Sequence, residues 1–504
     1  MTIEQLLRAV SPVVGFDGRA LSGAEGALQQ TCTGVTHDSR HVTPGTVFVA
    51  LRGLKMDGAA FAPQAIAAGA AAIVSEGPAE HQMDVPWITV ADARLALAHL
   101  AAEFNGHPSR QMRVVGITGT NGKTTTGYLT SAIVEAAGIK CGLMGTVLYR
   151  LGGRDFEATR TTPEAPEVQS YMREMVASGC GACVMEVSSH ALALRRVDGI
   201  QFAAGIFTNL TRDHLDFHTD MEDYFAAKRR LFEMLPDDAP AVINLDDPRG
   251  ASLVDVVRRP ITYGLSRAAQ VSPGSLSYSL EGLQFDIRSP RGSIRVRSKL
   301  VGRPNVYNIL AAVAVTSALE VPTSAIEDGL EQLPGVPGRF EIASGSADDV
   351  TVVVDYAHTD DALRNLLETA RPVATRRLIT VFGAGGDRDR TKRPLMGMVA
   401  ARLSDIVVIT SDNPRSEDPN RIIDEVKRGA DAEMRQSGAE ILIRPDRRDA
   451  IVHAVEMADR GDVVLVAGKG HEKYQVIGDR TFTFDDVEVA REALASRRLK
   501  SRAG

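Results

Sequence analysis

Short runs of Val and Ile recur along the chain and alternate with stretches whose apolar residues repeat at helical spacing. The runs do not alternate polar and apolar as a half-solvated strand would, so the pattern predicts parallel strands covered on both faces by helices. They fall into three groups. The first is "TVFVAL", "AAAIVSE" and "PWITV", ending near Ala91. The second is "MRVVGITG", "GACVMEVSS", "FAAGIFTN" and "PAVINLDD", followed by residues 275–300, whose alternation predicts antiparallel strands. The third is "VTVVVDYAH", "RLITVFGAGGDRD", "DIVVITSDNPR" and "DVVLVAGKGHE".

Between the second and third groups lies "LPGVPGRF", where Pro334, Gly335, Pro337 and Gly338 interrupt both helix and strand. The expected organisation is therefore α/β with three domains, 1–91, 92–338 and 339–504. The first boundary is the softer one, because the helix predicted over "ARLALAHLAAEF" can pack on either neighbour. In open α/β sheets, ligands bind beyond the carboxyl ends of the strands. The unusual polar clusters sit at those ends: "GTNGKTTT", "EVSSH", "TNLTRDHLD", "DYAH", "GAGGDRDRTKRP", "SDNPR" and "AGKGHE". Their placement points to one site shared by domains.

Composition narrows the chemistry. With 504 residues the chain exceeds a single core, and 44% hydrophobic with 24% charged residues is the make-up of a soluble globular protein. A net charge of −7 argues against a general nucleic-acid binder but not against a small anionic ligand. The N-terminus lacks the basic start and apolar middle of a signal peptide, and no apolar run reaches the length of a membrane span, so a cytoplasmic protein is expected. Cys180 and Cys183 have metal or redox spacing, but Cys32 and Cys141 do not supply a second pair. Buried thiols are expected.

The stretch "VVGITGTNGKTTT" reads as strand, glycine-rich turn, and a helix starting near Lys123. Backbone N–H groups in such a turn cradle phosphate, aided by the helix dipole. Gly119, Thr120, Asn121 and Gly122 form the turn, Lys123 reaches the terminal phosphates, and Thr124 ligates magnesium. The strict phosphate-loop pattern misses at its first position, where Ile117 stands and Gly116 falls one residue early. Glu186 and His214 end two further strands and can face this loop; the alternatives are a helix cap and an ordinary loop histidine.

Taken together, "GTNGKTTT", "MEVSSHAL", "FTNLTRDHLDFH", "AAKRRLF", "DYAHTDDAL", "GAGGDRDRTKRPLMG", "DNPR" and "AGKGHE" resemble the Mur ligases of peptidoglycan synthesis, in the family's order and over nearly the whole chain. Within the family the likeness is greatest to the branch that adds meso-diaminopimelate to UDP-N-acetylmuramoyl-L-alanyl-D-glutamate. The resemblance implies an N-terminal domain for the UDP-sugar, a central ATPase and a C-terminal Rossmann-like domain for the amino acid. It also implies ATP and Mg2+, and an acyl phosphate on the D-glutamyl γ-carboxylate that the incoming amine attacks. Both substrates are small molecules. No nucleic-acid partner is expected, and the enzyme is expected to act as a monomer.

The family's positions carry over residue by residue. Lys123, Glu186, His214 and Lys228 are implied as catalytic, with Thr124, Glu186, His214 and a carbamylated Lys228 around the metal. Without the resemblance Lys228 reads as a solvated helix lysine. Thr125, Asn305, Arg339, Asp355 and His358 join the phosphate loop around ATP, although Pro304 stands where many relatives have histidine. His37, Ser39, Leu54, Lys55 and Met56 are implied at the uridine diphosphate. Thr161, Thr162, Ser188, Leu194 and Arg196 are implied at the peptide.

Arg393, Asp412, Asn413, Pro414, Arg415, Gly468 and Glu472 are implied around diaminopimelate. Arg415 is the diagnostic residue, because meso-diaminopimelate differs from lysine by a distal carboxylate that a planar guanidinium holds bidentately. The alternative for Arg415 is a surface pair with Glu417 or Asp418. Rival functions are a lysine-adding or folylpolyglutamate synthase-like ligase, and a nucleotide switch, the last disfavoured by the lack of an N-K-x-D motif.

Overall fold

A computed structural model describes residues 1–14, 25–53, 56–79, 85–279 and 281–503. Four parallel strands, Gly34–Thr36, Thr46–Val49, Ala72–Ser75 and Trp87–Thr89, pair in chain order. Their middle members are buried along their whole length, as the uninterrupted apolar runs require. Helices Ile3–Val14 and Ala93–Phe104 close one face through Ile3, Leu6, Ala96, Leu97 and Leu100. Helix Ala93–Phe104 also packs on helix Ala165–Ala177 of the next unit. It has few polar faces to spare, since seven of its residues are buried.

The second sheet has eight strands in the order Pro260–Tyr263, Ala241–Asn244, Ala204–Phe207, Arg113–Thr118, Ala182–Glu186, Cys141–Met144, Leu148–Leu151, Arg154–Glu157. The first six run parallel and the last two turn back as antiparallel hairpins. Strand Arg113–Thr118 sits between two strands that follow it in the chain, so the crevice at its carboxyl end is a topological switch point. Helices Lys123–Ala136 and Arg303–Ala318 cover one face; Ala165–Ala177 and Met221–Glu233 cover the other. The antiparallel strands expected over 275–300 are Ser277–Ser279, Gly282–Ser289 and Gly292–Ser298, with Ser272–Pro273 on the far edge. They bury Leu283, Phe285, Ile287, Ile294 and Val296 on one side only.

The third sheet runs Glu341–Ile342, Thr351–Asp355, Val463–Ala467, Leu378–Phe382, Ile406–Ile409, Glu440–Ile443, parallel after its first strand. A hairpin, Tyr474–Ile477 with Arg480–Thr483, stands beside it. The Pro/Gly linker is tied to this unit: Phe340 N donates to Asp355 Oδ2 at 2.7 Å and Tyr356 N to the Gly338 carbonyl at 2.9 Å.

Several strands escape the apolar-run pattern. Cys141–Met144 has no β-branched residue, Arg154–Glu157 is exposed throughout, and Glu440–Ile443 lies at a sheet edge with a half-exposed pattern. Neighbouring strands recruited them. All four cysteines are buried free thiols, and burial pushes the Cys180 and Cys183 thiols up, away from the thiolate form. Among the described residues no helix is long and apolar enough to cross a membrane.

Candidate active site

Strand Arg113–Thr118 ends in a turn that only glycine can make at two positions. Gly119 has φ +146° and Gly122 φ +85°; a Cβ at Gly119 would lie 1.8 Å from Thr208 Oγ1, and one at Gly122 2.4 Å from Asn308 Oδ1. The neighbouring strand's exit loop fixes the turn from the side. Thr208 Oγ1 donates to the Asn121 carbonyl at 2.7 Å, and Asn121 N donates to Asn209 Oδ1 at 2.9 Å. Thr120 N bonds the Asn209 carbonyl at 2.9 Å, and Thr211 N bonds Thr120 Oγ1 at 3.0 Å. The helix starts at Lys123, whose Nζ donates to the carbonyls of Gly119 at 3.0 Å and Thr120 at 2.9 Å. Burial pulls the Lys123 ammonium pKa down, while Glu186 and Asp213 oppose that shift. Thr125 is buried behind the loop, and Arg339 Nη2 donates to Thr124 Oγ1 at 3.1 Å.

Glu186 closes the adjacent strand. It caps no helix; Ser188 does that, accepting from Ala191 N at 3.1 Å. The Glu186 carboxylate accepts from Thr146 N at 2.8 Å and Thr146 Oγ1 at 3.0 Å, which orients it, and its charge acts on Lys123 of the neighbouring turn. Lys228 is fully buried, not solvated: its Nζ donates to the Gly119 carbonyl at 2.8 Å and lies 4.4 Å over the Tyr224 ring. Burial, then the nearby Lys123, holds its pKa well below the usual lysine value. His214 takes the left-handed region at φ +56°. Its ring stacks edge-on to His190 at 4.9 Å, and Nε2 lies 3.5 Å from Asp213 Oδ2.

Asp213 is the residue that reading the sequence missed here. It faces His214 from one side and His358 of the third unit, at 4.0 Å, from the other. Asn209, Asn308 and Tyr224 were also missed; Asn209 lies inside the recognised "TNLTRDHLD", whereas Asn308 and Tyr224 lie three and four residues from the expected Asn305 and Lys228.

The nucleoside candidates divide. Asn305 donates from Nδ2 to the Val301 carbonyl at 2.8 Å and accepts from Asn308 Nδ2 at 2.9 Å, so it braces Asn308 behind Gly122. Asp355 accepts from Phe340 N and Ala357 N at 2.7 and 2.8 Å, holding the linker; burial raises its pKa. Arg339 lies 4.4 Å over the Tyr356 ring, with its buried Nε unpartnered. His358 Nδ1 bonds the Tyr356 carbonyl at 2.9 Å.

On the other flank, Thr162 Oγ1 donates to the Glu186 carbonyl at 2.9 Å and accepts from Ser188 N at 3.1 Å; Thr161 Oγ1 meets Thr146 Oγ1 at 3.1 Å. Arg196 is mostly spoken for, pairing with Glu164 at 2.7 Å and the Thr162 carbonyl at 3.1 Å, while its buried Nε has no partner. Leu194 ends the short helix Ser189–Ala193. His37 has a buried, unpartnered Nδ1 and feels Glu164 across the unit boundary. Ser39 Oγ contacts Gln64 Oε1 at 3.3 Å, and Met56 is exposed. Leu54 and Lys55 lie outside the described residues.

The third cluster is built on the carboxyl ends of strands Ile406–Ile409 and Val463–Ala467. Asn413 donates to Glu472 Oε2 at 2.9 Å and accepts from Lys469 Nζ at 3.1 Å. Lys469 is wholly buried, 3.3 Å from Glu472 and 3.8 Å from Asp412. It was missed within "AGKGHE", where only its flanking residues were expected to act. Burial, then Asp412, raises the Glu472 pKa. A Cβ at Gly468 would lie 2.7 Å from Asp412 Oδ2, and Pro414 is buried beside them.

Arg415 pairs with neither Glu417 nor Asp418. Glu417 is bound by Arg393 at 2.7 Å, and Asp418 caps helix Pro419–Ser437. The Arg415 guanidinium donates to the Gly386 carbonyl at 2.7 Å and has no carboxylate within salt-bridge reach among the described residues. Arg393 departs from expectation: it is fully buried, paired with Glu417 and with Glu425 at 2.8 Å, and bonded to the Gly385 carbonyl at 3.1 Å. A guanidinium so engaged shapes the cluster from behind instead of meeting a ligand.

The C-terminal unit meets the Gly119–Gly122 turn and the start of its helix directly. Besides the Arg339–Thr124 contact, Asn121 Nδ2 donates to Asp361 Oδ2 at 2.9 Å and Arg212 lies 3.4 Å from Asp389.

Burial also sets a pH dependence. It pushes His190 and His358 down to about 4 and His471 to about 3 from an ordinary 6.5. The unfolded chain therefore takes up protons near pH 6.5 that the folded chain refuses until far lower, so stability is full above that value and falls as pH drops toward 4. Calorimetry should give a lower Tm at pH 5 than at pH 7; an unchanged or higher Tm at pH 5 contradicts this.

Comparison with known proteins adds a separate line of findings. Models described as the Mur ligase family catalytic domain, the Mur ligase middle domain and the Mur ligase glutamate ligase domain match residues 31–105, 117–316 and 338–470. A protein of Geobacter metallireducens named UDP-N-acetylmuramoyl-L-alanyl-D-glutamate–2,6-diaminopimelate ligase is 46% identical, covering 100% of this chain and 99% of its own. One of the same name from Gloeobacter violaceus is 48% identical, covering 93% and 94%. A solved structure titled as that ligase superposes with TM-score 0.68 at 33% identity, covering 99% of both chains.

Proposed function

This chain belongs to the Mur ligase family, and from that premise we propose that it is the ATP-dependent ligase joining meso-diaminopimelate to the D-glutamyl γ-carboxylate of UDP-N-acetylmuramoyl-L-alanyl-D-glutamate in peptidoglycan precursor synthesis. The observation that carries the choice of amino acid is Arg415. Among the described residues its guanidinium lacks a carboxylate partner, and its loop also carries Asp412 and Asn413, the latter bonded to Glu472, a set suited to a distal group bearing both carboxylate and ammonium.

A carboxylate is a poor electrophile, so amide formation needs a phosphoryl leaving group and cations around the crowded charge. The Gly119–Gly122 turn, which a Cβ would fill, fits the phosphates of ATP, and Lys123 supplies the charge at their terminal end. Thr124, Glu186 and His214 are the residues that would hold Mg2+. When bound, the ion offsets charge on the phosphates and the γ-carboxylate. Among the described residues no three His, Cys, Asp or Glu side chains form a cage of their own, which suits magnesium's preference for phosphate oxygen and water. Thr146 keeps the Glu186 carboxylate aimed.

Lys228 supports a further point of this reading. Burial lowers its pKa and so favours the neutral amine, the form that adds carbon dioxide, with loss of a proton, to give a carbamate able to join the metal ligands. Arg196 and the Thr161–Ser188 cluster are the peptide-facing residues, and His37 and Ser39 the uridine-facing ones. Dependence on ATP is the ground for placing the reaction in the cytoplasm.

The test is phosphate release from ATP with UDP-N-acetylmuramoyl-L-alanyl-D-glutamate present. Meso-diaminopimelate should support turnover about a hundredfold or more better than lysine, because a site built for a charge rejects analogues lacking it. Equal use of lysine overturns the choice of amino acid, and release independent of any amino acid overturns the ligase. Chelation of divalent cations should abolish turnover and Mg2+ should restore it; full activity after chelation refutes the metal assignment.

A further inference from the structure

The amino-acid cluster rests on two loops that the sheet does not place side by side. One follows strand Ile406–Ile409 and carries Asp412, Asn413 and Arg415; the other follows Val463–Ala467 and carries Gly468, Lys469 and Glu472. Strand Leu378–Phe382 lies between them, so no ladder hydrogen bond sets their spacing. Across that gap reaches Arg447, the first residue of helix Arg447–Met457. Its Nη2 donates to the Ala467 carbonyl at 3.0 Å and its Nη1 to the Ser411 carbonyl at 3.4 Å. The same guanidinium is held by Asp486, Nε to Oδ1 at 2.8 Å and Nη2 to Oδ2 at 2.7 Å, and both side chains are 0% exposed. Among the described residues the direct hydrogen bonds of the Arg447 side chain go to Asp486 and these two carbonyls, while Asp412 and Glu472 act on its charge through space.

We propose that Arg447, held by Asp486, is a positioning residue for amino-acid recognition, clamping the Ser411 and Ala467 carbonyls so that Arg415 on one loop and Glu472 on the other keep the spacing of one ligand's charged end. The inference rests on the reading of this cluster as the amino-acid pocket. A buried ion pair is weak evidence of a stability role, since well-packed apolar residues replace such pairs at little cost, whereas removing one partner leaves an uncompensated charge. The bidentate fork with two further carbonyl acceptors is a geometry that stability alone does not require.

The test follows from that asymmetry. The double variant Arg447→Met with Asp486→Leu removes both members of the pair and leaves neither charge uncompensated, so it should fold, with a Tm near that of wild type. Its KM for the amino acid should rise about tenfold or more while the KM values for ATP and for the UDP-muramoyl dipeptide stay within about twofold. The conservative variant Asp486→Asn keeps one acceptor and should show a smaller rise. A folded double variant with an unchanged amino-acid KM overturns the clamp, as does an equal rise in all three KM values. The assay uses whichever amino acid the wild-type enzyme accepts, so a failed diaminopimelate assignment shows in the wild type and a failed clamp only in the variants. If the double variant does not fold, the same three KM values are read from Asp486→Asn, and no selective rise there overturns the proposal.

Discussion

Lys123→Ala should slow turnover about a thousandfold or more with any amino acid, while the protein folds and binds the UDP-muramoyl dipeptide as before. A preorganised cation at the transferring phosphoryl group is worth about that much. The substitution is structurally mild: Lys123 Nζ bonds only to carbonyls of its own turn among the described residues, and Lys228 still donates to the Gly119 carbonyl. Removing Lys123 also relieves the repulsion that helps depress Lys228. Steady-state phosphate release measures the loss. Activity within about tenfold of wild type would refute the phosphate-loop assignment.

Arg415→Ala should raise the KM for meso-diaminopimelate about a hundredfold or more and leave the KM for ATP near normal. The test isolates the side chain. Arg415 stands at φ +53°, and its backbone N and O bond the Val476 carbonyl at 3.1 Å and Gly478 N at 2.7 Å. Alanine pays a similar conformational cost and keeps both bonds, so what disappears is the guanidinium. Arg415→Lys keeps the charge but loses the planar fork and should fall between the two. An unchanged diaminopimelate KM in Arg415→Ala would remove the distal-carboxylate assignment while leaving the ligase.

These two residues were legible in the chain for different reasons. Lys123 follows a glycine turn between a buried strand and a helix, a local pattern that implies an anion site. Arg415 stood out as an arginine after an apolar run, but its neighbours Glu417 and Asp418 offered an ordinary surface pair. The fold settled that by giving Glu417 to Arg393, a partner on another segment, and Asp418 to the cap of the helix that starts at Pro419. Arg393 shows the converse error: its motif places it near the pocket, but only burial reveals that its charge is already matched twice.

Asp213 and Lys469 sat inside recognised clusters and gained roles from what faces them across domains or loops. Arg447 and Asp486 were silent in the sequence, since they act through carbonyls whose positions depend on the strand order of the sheet.

The sequence by itself determined the three α/β units, the glycine turn before Lys123 and the family, because these rest on hydrophobic period, on backbone conformations open only to glycine, and on motifs contiguous in the chain. The tertiary structure alone decided which charges are matched and which are left to meet a ligand. That distinction depends on partners brought together by folding and on burial that shifts the balance between charged and neutral forms, and neither is a property of any short stretch of residues.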